Sequence, residues 1–175
     1  MNYGNIKFYD VANGEGVRTS LFVSGCRNNC EYCFNKETWD FNYGSEFTEE
    51  TINIILKSIE PNYINGLSIL GGEPMEEENQ KEILKLVKTL KEKYSNKNIW
   101  LYTGYLYDKD LQKNGKKYTD FTDELISFID IIIDGKFVES LKNVSLQFRG
   151  SSNQRIIDVQ ESLKTKQVVH VKRFK

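Results

Sequence analysis

The sequence is short of the residues that usually staple a chain or bind metal through imidazole. Its 175 residues include three cysteines, two prolines and one histidine. The cysteine number is odd, and Cys26, Cys30 and Cys33 fall within eight residues, so a secreted disulfide framework is excluded. No apolar run approaches the ~20 residues of a membrane span. The start, Met1 to Lys7, lacks the charged-then-apolar pattern of a signal peptide. Cytoplasmic location, with reduced thiols, is therefore expected. There is no excess of charge either: 24 Lys+Arg stand against 25 Asp+Glu. A dedicated nucleic-acid binder would normally carry a basic surplus. Internal repeats, Pro/Ser-rich linkers and low-complexity tracts are missing, so one domain over 1–175 is expected.

What the chain does have is core. Leu, Ile, Val and Phe supply 50 of the 175 residues, and a chain of this length can bury about 70% of its unfolded surface. Short apolar runs at 19–24, 67–70, 99–102 and 131–133 read as strands. Helical stripes at 49–59, 77–94 and 122–129 lie between them. Thr48 suits an N-cap, with Glu49 and Glu50 in the first turn, and Pro61 follows that helix. In the tail, 155–158 and 168–171 read as further strands. Strand–crossover–strand repetition predicts an α/β fold with mostly parallel strands and right-handed connections. Four or five βα units are too few to close eight strands, so a partial, open βα barrel is expected. The cysteine loop, Gly71-Gly72-Glu73-Pro74, Thr103-Gly104 and Asp134-Gly135 all follow strands at their carboxyl ends. Sites in such folds sit there.

The cysteines read Cys26-Arg27-Asn28-Asn29-Cys30-Glu31-Tyr32-Cys33, or C-x3-C-x2-C. Structural zinc wants four ligands, and the one histidine, His170, is far off in sequence. An ordinary cubane also takes four cysteines. Three thiolates leave one iron of a 4Fe–4S cluster open to a further ligand. With an aromatic residue before the third cysteine, the loop resembles the signature of the radical S-adenosylmethionine superfamily. Gly71-Gly72-Glu73-Pro74 looks like that superfamily's second motif.

The wider pattern is similar to one branch, the activating proteins of the anaerobic ribonucleoside-triphosphate reductase. It runs through Asn13 to Arg18, Tyr32-Cys33-Phe34-Asn35, Trp39-Asp40-Phe41, Trp100 to Tyr105, Asp134 to Phe137 and Phe148 to Arg155. Glu15 departs from the proline usual between the glycines of the first stretch. The resemblance implies that Cys26, Cys30 and Cys33 hold a 4Fe–4S cluster. It implies that Tyr32, Cys33, Phe34, Gly72 and Glu73 bind S-adenosylmethionine. The partner would be the large glycyl-radical subunit of the reductase, and an external one-electron donor such as a flavodoxin would feed the cluster. The cofactor radical would carry the chemistry, so no catalytic side chain is named. Within the superfamily, the alternatives are an activase of another glycyl-radical enzyme and a small-molecule enzyme such as a deazaguanine synthase. Outside it, the alternative is an electron-transfer or zinc-bearing interaction module.

The remaining features take plainer readings. Arg18 fits either the activase stretch or a surface ion pair. The stretch 149–155 fits a ligand or partner contact, or a hydrogen-bonded cap on the sheet. Trp39, Trp100 and the ten tyrosines read as core and rim, and His170 as a residue without chemistry. Lys164, Lys166, Lys172, Arg173 and Lys175 read as a solvated basic tail.

Overall fold

The computed structural model describes residues 1–174, so Lys175 of the basic tail lies outside the described residues. In chain order the elements are β1 (Asn2–Asp10), β2 (Val17–Val23), β3 (Ser45–Glu46), α1 (Glu49–Ile59), β4 (Ile64–Gly71) and α2 (Glu77–Lys93). They continue with β5 (Asn98–Thr103), α3 (Thr122–Ser127), β6 (Ile131–Asp134), β7 (Arg155–Asp158), α4 (Val159–Thr165) and β8 (Val169–His170). All the strands join one sheet in the order β3-β1-β2-β4-β5-β6-β7-β8.

The parallel core is β2, β4, β5 and β6, joined through α1, α2 and α3. The expectation of mostly parallel strands is met in this core but not at the flanks. β1 and β3 run antiparallel on one side, and β7 and β8 on the other. The reason on the second side is the connection. Residues 135–154 hold no crossover helix, so the chain returns at the end where β6 stopped, with Asp134 opposite Arg155. β1 gave no sequence signal because its residues are mostly half-exposed or exposed, and its pairing with β2 is broken by register shifts. The sheet stays open, with β3 and β8 as its edges, and does not close on itself.

Alternation along the strands splits the core in two. Leu21, Val23, Leu67, Ile69, Ile99, Leu101 and Ile132 face the helices. They pack against Ile52, Ile55 and Ile59 of α1, Ile83, Leu86, Val87 and Leu90 of α2, and Leu125 of α3. The opposite face carries Trp100, Ile131, Ile133 and Ile156, covered by Phe148 and Phe174 rather than by a helix. Trp100, Phe148 and Phe174 meet edge-on or tilted, with centroids 5.1–5.7 Å apart.

Local chemistry sets the helix ends. Thr48 caps α1 through a reciprocal pair: its hydroxyl accepts from Thr51 N, and Thr48 N donates to Thr51 Oγ1. Glu77 and Glu78 open α2, and Lys91 and Lys93 close it, each suiting the helix dipole.

Candidate functional site

The chain leaves β2 at Val23 and enters the cysteine loop, which is tied at both ends. Gly25 N donates to Thr38 O (2.8 Å), and Cys26 N to Trp39 O (3.2 Å). Glu73 N reaches back to Gly25 O (2.9 Å), and Gly72 N to Val23 O (2.7 Å), so the end of β4 lies against the loop. Only glycine fits at 72. A Cβ there would stand 2.8 Å from the carbonyl oxygens of both Gly25 and Thr38. Arg27 then locks the loop from outside. Its guanidinium donates to Glu76 (2.8 Å) and to both oxygens of Glu78 (2.9 and 2.5 Å), and it lies over the Phe41 ring at 4.3 Å. Glu76 is a hub, since it also accepts from Arg27 N, Lys117 Nζ and Tyr105 Oη. The last of these contacts, together with burial, keeps the Tyr105 phenol protonated.

The loop opens onto a cavity of about 210 Å³ at the carboxyl end of the parallel strands. Cys26, Cys30, Cys33, Tyr32, Phe34, Gly72 and Glu73 all line it, so every residue assigned from the sequence meets at one place. The thiols are half-buried and unbridged. Burial pushes the Cys26 thiol up to about 11, and Cys30 is also raised, chiefly by burial, with Lys136 opposing. A cationic centre would reverse this bias by stabilising thiolates. Phe34 is 98% exposed and Tyr32 is 59% exposed, so both stand at the mouth rather than the floor.

Glu73 is the floor. It is fully buried, and its carboxylate accepts four hydrogen bonds: from Thr103 Oγ1 (2.7 Å), Met75 N (3.0 Å), Gly104 N (2.8 Å) and Asn28 Nδ2 (2.8 Å). Burial pushes its pKa up to about 7 against these donors. Four donors on two oxygens need the acceptor-only, ionised form. Asn28, Thr103, Gly104, Lys136 and Gln154 line the same cavity. Thr103-Gly104 was legible as a strand end, and Lys136 and Gln154 fall in stretches that the family pattern marked, but Asn28 carried no separate signal.

The three free thiols are the candidate ligands for a metal centre. Among the described residues, no three His, Cys, Asp or Glu side chains converge closely enough to hold one metal ion. Zinc needs sulfurs at about 2.3 Å from one point. In a cubane each thiolate takes a different iron, and all three thiols line this one cavity. A family model described as a 4Fe-4S single cluster domain matches residues 12–157. The chain is 38% identical over 156 residues to the anaerobic ribonucleoside-triphosphate reductase-activating protein of Enterobacteria phage T4, covering 89% of this chain and 93% of that one. It is 39% identical over 156 residues to the protein of that name from Escherichia coli (strain K12), covering 88% and 96%. For the Vibrio cholerae protein of that name the identity is 37% over 158 residues, covering 89% and 97%. This chain belongs to the anaerobic ribonucleoside-triphosphate reductase-activating protein family.

Two stretches that the family resemblance singled out lie outside the thiol loop. Arg18 is buried at the amino end of the parallel strands, and forms no surface ion pair among the described residues. Its guanidinium donates to Ser68 Oγ, Asn98 Oδ1 and the carbonyls of Glu15, Leu67 and Asn98, all neutral, and burial lowers its pKa to about 10. Its work is to hold the turn at 13–16 against the sheet. Residues 149–155 form a hydrogen-bonded cap. Gln154 Oε1 accepts from Gly150 N and Ser151 N, and Gln154 Nε2 donates to Gly135 O. Arg155 bridges Asp134 and Asp108. His170 is exposed on β8, and Trp100 is core.

Proposed function

We propose that this protein installs a glycyl radical on an anaerobic ribonucleoside-triphosphate reductase, as a radical S-adenosylmethionine enzyme working in the cytoplasm. The observation that carries the reading is the meeting of Cys26, Cys30, Cys33, Gly72 and Glu73 on one cavity, in a chain of this family. When bound, a 4Fe–4S cluster and S-adenosylmethionine supply reductive cleavage of the sulfonium and, through it, removal of a hydrogen atom from a glycine alpha carbon.

The chain's own part is to hold and to shield. Cys26, Cys30 and Cys33 hold the cluster through three thiolates. Gly72 and Glu73 are assigned to the amino-acid end of S-adenosylmethionine, with the backbone at Cys33 and Phe34, and Tyr32 to its adenine side. The reductant comes from outside, from a one-electron donor of the flavodoxin kind, since the sequence holds no further cysteine.

Access supports a macromolecular substrate. A second cavity of about 560 Å³ adjoins the first and shares Tyr32, Phe34, Leu70, Tyr102, Phe137 and Gln154 with it. Both lie on the helix-free face of the sheet, which we read as the inside of a partial barrel within one radical S-adenosylmethionine domain. A glycine loop of the large reductase subunit can enter there and exclude water.

The test is anaerobic reconstitution with iron and sulfide, then addition of S-adenosylmethionine, a chemical reductant and the reductase. A 4Fe–4S signal that changes on adding S-adenosylmethionine, followed by a glycyl-radical doublet in electron paramagnetic resonance, is expected. Stoichiometric zinc with no such response would make the protein an interaction module instead.

A further inference from the structure

The chain has five arginines, and their charges are answered unequally. Arg27, Arg155 and Arg173 each pair with a carboxylate. Arg18 has none but donates to five neutral acceptors. Arg149 has neither arrangement. It is half-buried, its Nη1 donates to Gln154 O at 3.2 Å, and no carboxylate pairs with it among the described residues. Its Nε is shut off from solvent without a partner, whereas Nη2 has neither a partner nor that enclosure. A guanidinium carries five N–H donors in a planar fork, so this one is held in place yet mostly unspent.

The backbone that holds it is strained. Phe148 sits at φ +57°, a left-handed conformation that a bulky side chain rarely takes. Its ring meets Trp100 and Phe174 edge-on, with centroids 5.2 and 5.1 Å away, and that packing keeps the conformation in place. On the other side, a Cβ at Gly150 would stand 2.9 Å from the Phe137 ring. Arg149 is thus presented from between two packed positions to the cavity of about 560 Å³. The other charged residues lining that cavity, Glu139 and Lys142, pair with each other at 3.5 Å, which leaves the Arg149 charge unanswered. The cavity that gathers the thiols is lined by a different cation, Lys136, and not by Arg149.

A loop filling the larger cavity would strip the remaining water from this cation. Burying a charge without a partner is strongly unfavourable, whereas a carboxylate carried in with the loop would meet a fork already in place. We propose that Arg149 pairs with an acidic side chain on the entering reductase loop, and so fixes where the glycine stops relative to the thiol cavity. The inference rests on the proposed function and adds the chemical feature by which this site selects its protein substrate. That reading calls for a loop with chain on both sides of the glycine, so the carboxylate is a side chain and not a chain end.

The test is a charge exchange between the reconstituted protein and the reductase, read as glycyl radical by electron paramagnetic resonance against reductase concentration. Arg149→Gln should raise the reductase concentration for half-maximal radical yield roughly 10- to 100-fold, as for a lost hydrogen bond between charged groups. Arg149→Lys keeps the charge without the fork and should lose less. Equilibrium dialysis should find S-adenosylmethionine affinity within about twofold of wild type in both variants. Arg149→Glu should be worse than Arg149→Gln. Changing the Asp and Glu residues of the reductase loop to Arg, one at a time, should restore radical yield to Arg149→Glu at a single position. A merely structural Arg149 would not be rescued from the other protein. An unmoved half-maximal concentration in Arg149→Gln would overturn the inference. So would weakened S-adenosylmethionine binding, which would give Arg149 to the cofactor, and so would failure of every acidic position to rescue Arg149→Glu. Wild-type protein that takes up its cluster but yields no glycyl radical on the reductase would instead overturn the proposed function, and this inference with it.

Discussion

Each thiol of the cysteine loop has its own iron to hold in a cubane, so losing one is not shared out among the others. Cys30→Ala should lower the iron retained after anaerobic reconstitution and abolish S-adenosylmethionine cleavage. Its far-UV circular dichroism should match wild type, because the helix-facing core does not include the loop. Full iron and full cleavage in that variant would remove Cys30 from the ligand set. The thiols, Gly72 and Glu73 were legible because residue type and spacing carry their chemistry. Asn28 was not legible, since an amide means nothing until its neighbours are known. Asp10 was equally silent, though it is fully buried and anchors the turn behind the sheet. Burial alone would raise its pKa, but hydrogen bonds from Ser20, Asn13, Ala12 and Lys7 outweigh that and hold it at about 2. A folded pKa below the ordinary 3.8 gives stability that is present above 3.8 and lost as pH falls through about 2. Asp10→Asn should therefore flatten the acid-induced loss of stability by about 2 kcal/mol over that interval. Urea midpoints measured down the pH series check it, and an unchanged slope would uncouple Asp10 from folding.

Periodicity and end chemistry placed the central elements to within a few residues. α1 ran as expected from Glu49 to Ile59, because its cap, its acidic first turn and its Ile52/Ile55/Leu56/Ile59 stripe all agree. Thr48→Ala removes the half of the reciprocal cap that its hydroxyl makes with Thr51 N and should cost about 1 kcal/mol. The denaturant midpoint should fall while the reconstituted iron content stays put. An unmoved midpoint would mean that packing alone fixes the start of α1. Elements at the sheet margins were less legible for a physical reason. β1 shows one buried residue in nine, so alternation could not mark it. α4 is seven residues long and begins directly after β7, where Asp158 caps it by accepting from Glu161 N (3.0 Å). The loop 135–154 reads as irregular in sequence because it is: its order comes from Gln154, Asn153 and Arg155 reaching back to 134–136.

The molecule is lopsided by construction, and that shapes what it can do. Its helices pack on one face of the sheet, while the other is covered by aromatic side chains and the 136–154 loop, with Phe34 and Val144 almost fully exposed nearby. A small substrate would not need so open an approach, whereas a protein loop does. On the proposed function, the reductase must enter to complete the site, so cleavage of S-adenosylmethionine without it should be slow and yield no protein radical. Adding the reductase should bring 5′-deoxyadenosine and the glycyl radical into step, close to one for one in the first turnover. Direct abstraction makes a sharper demand. The hydrogen lost by the glycine alpha carbon is the atom gained at the 5′ carbon, so no proton from water and no side-chain acid takes part. Reductase labelled with deuterium at its glycine alpha carbons should therefore deliver one deuterium to 5′-deoxyadenosine when the activating protein and S-adenosylmethionine carry ordinary hydrogen. Mass spectrometry of the nucleoside reads this directly. Tyr102 and Tyr32, which line both cavities, are the aromatic residues placed to intervene if transfer is indirect. Unlabelled 5′-deoxyadenosine alongside a full glycyl-radical signal would rule out direct abstraction. Phe substitution at each tyrosine in turn would then find the relay.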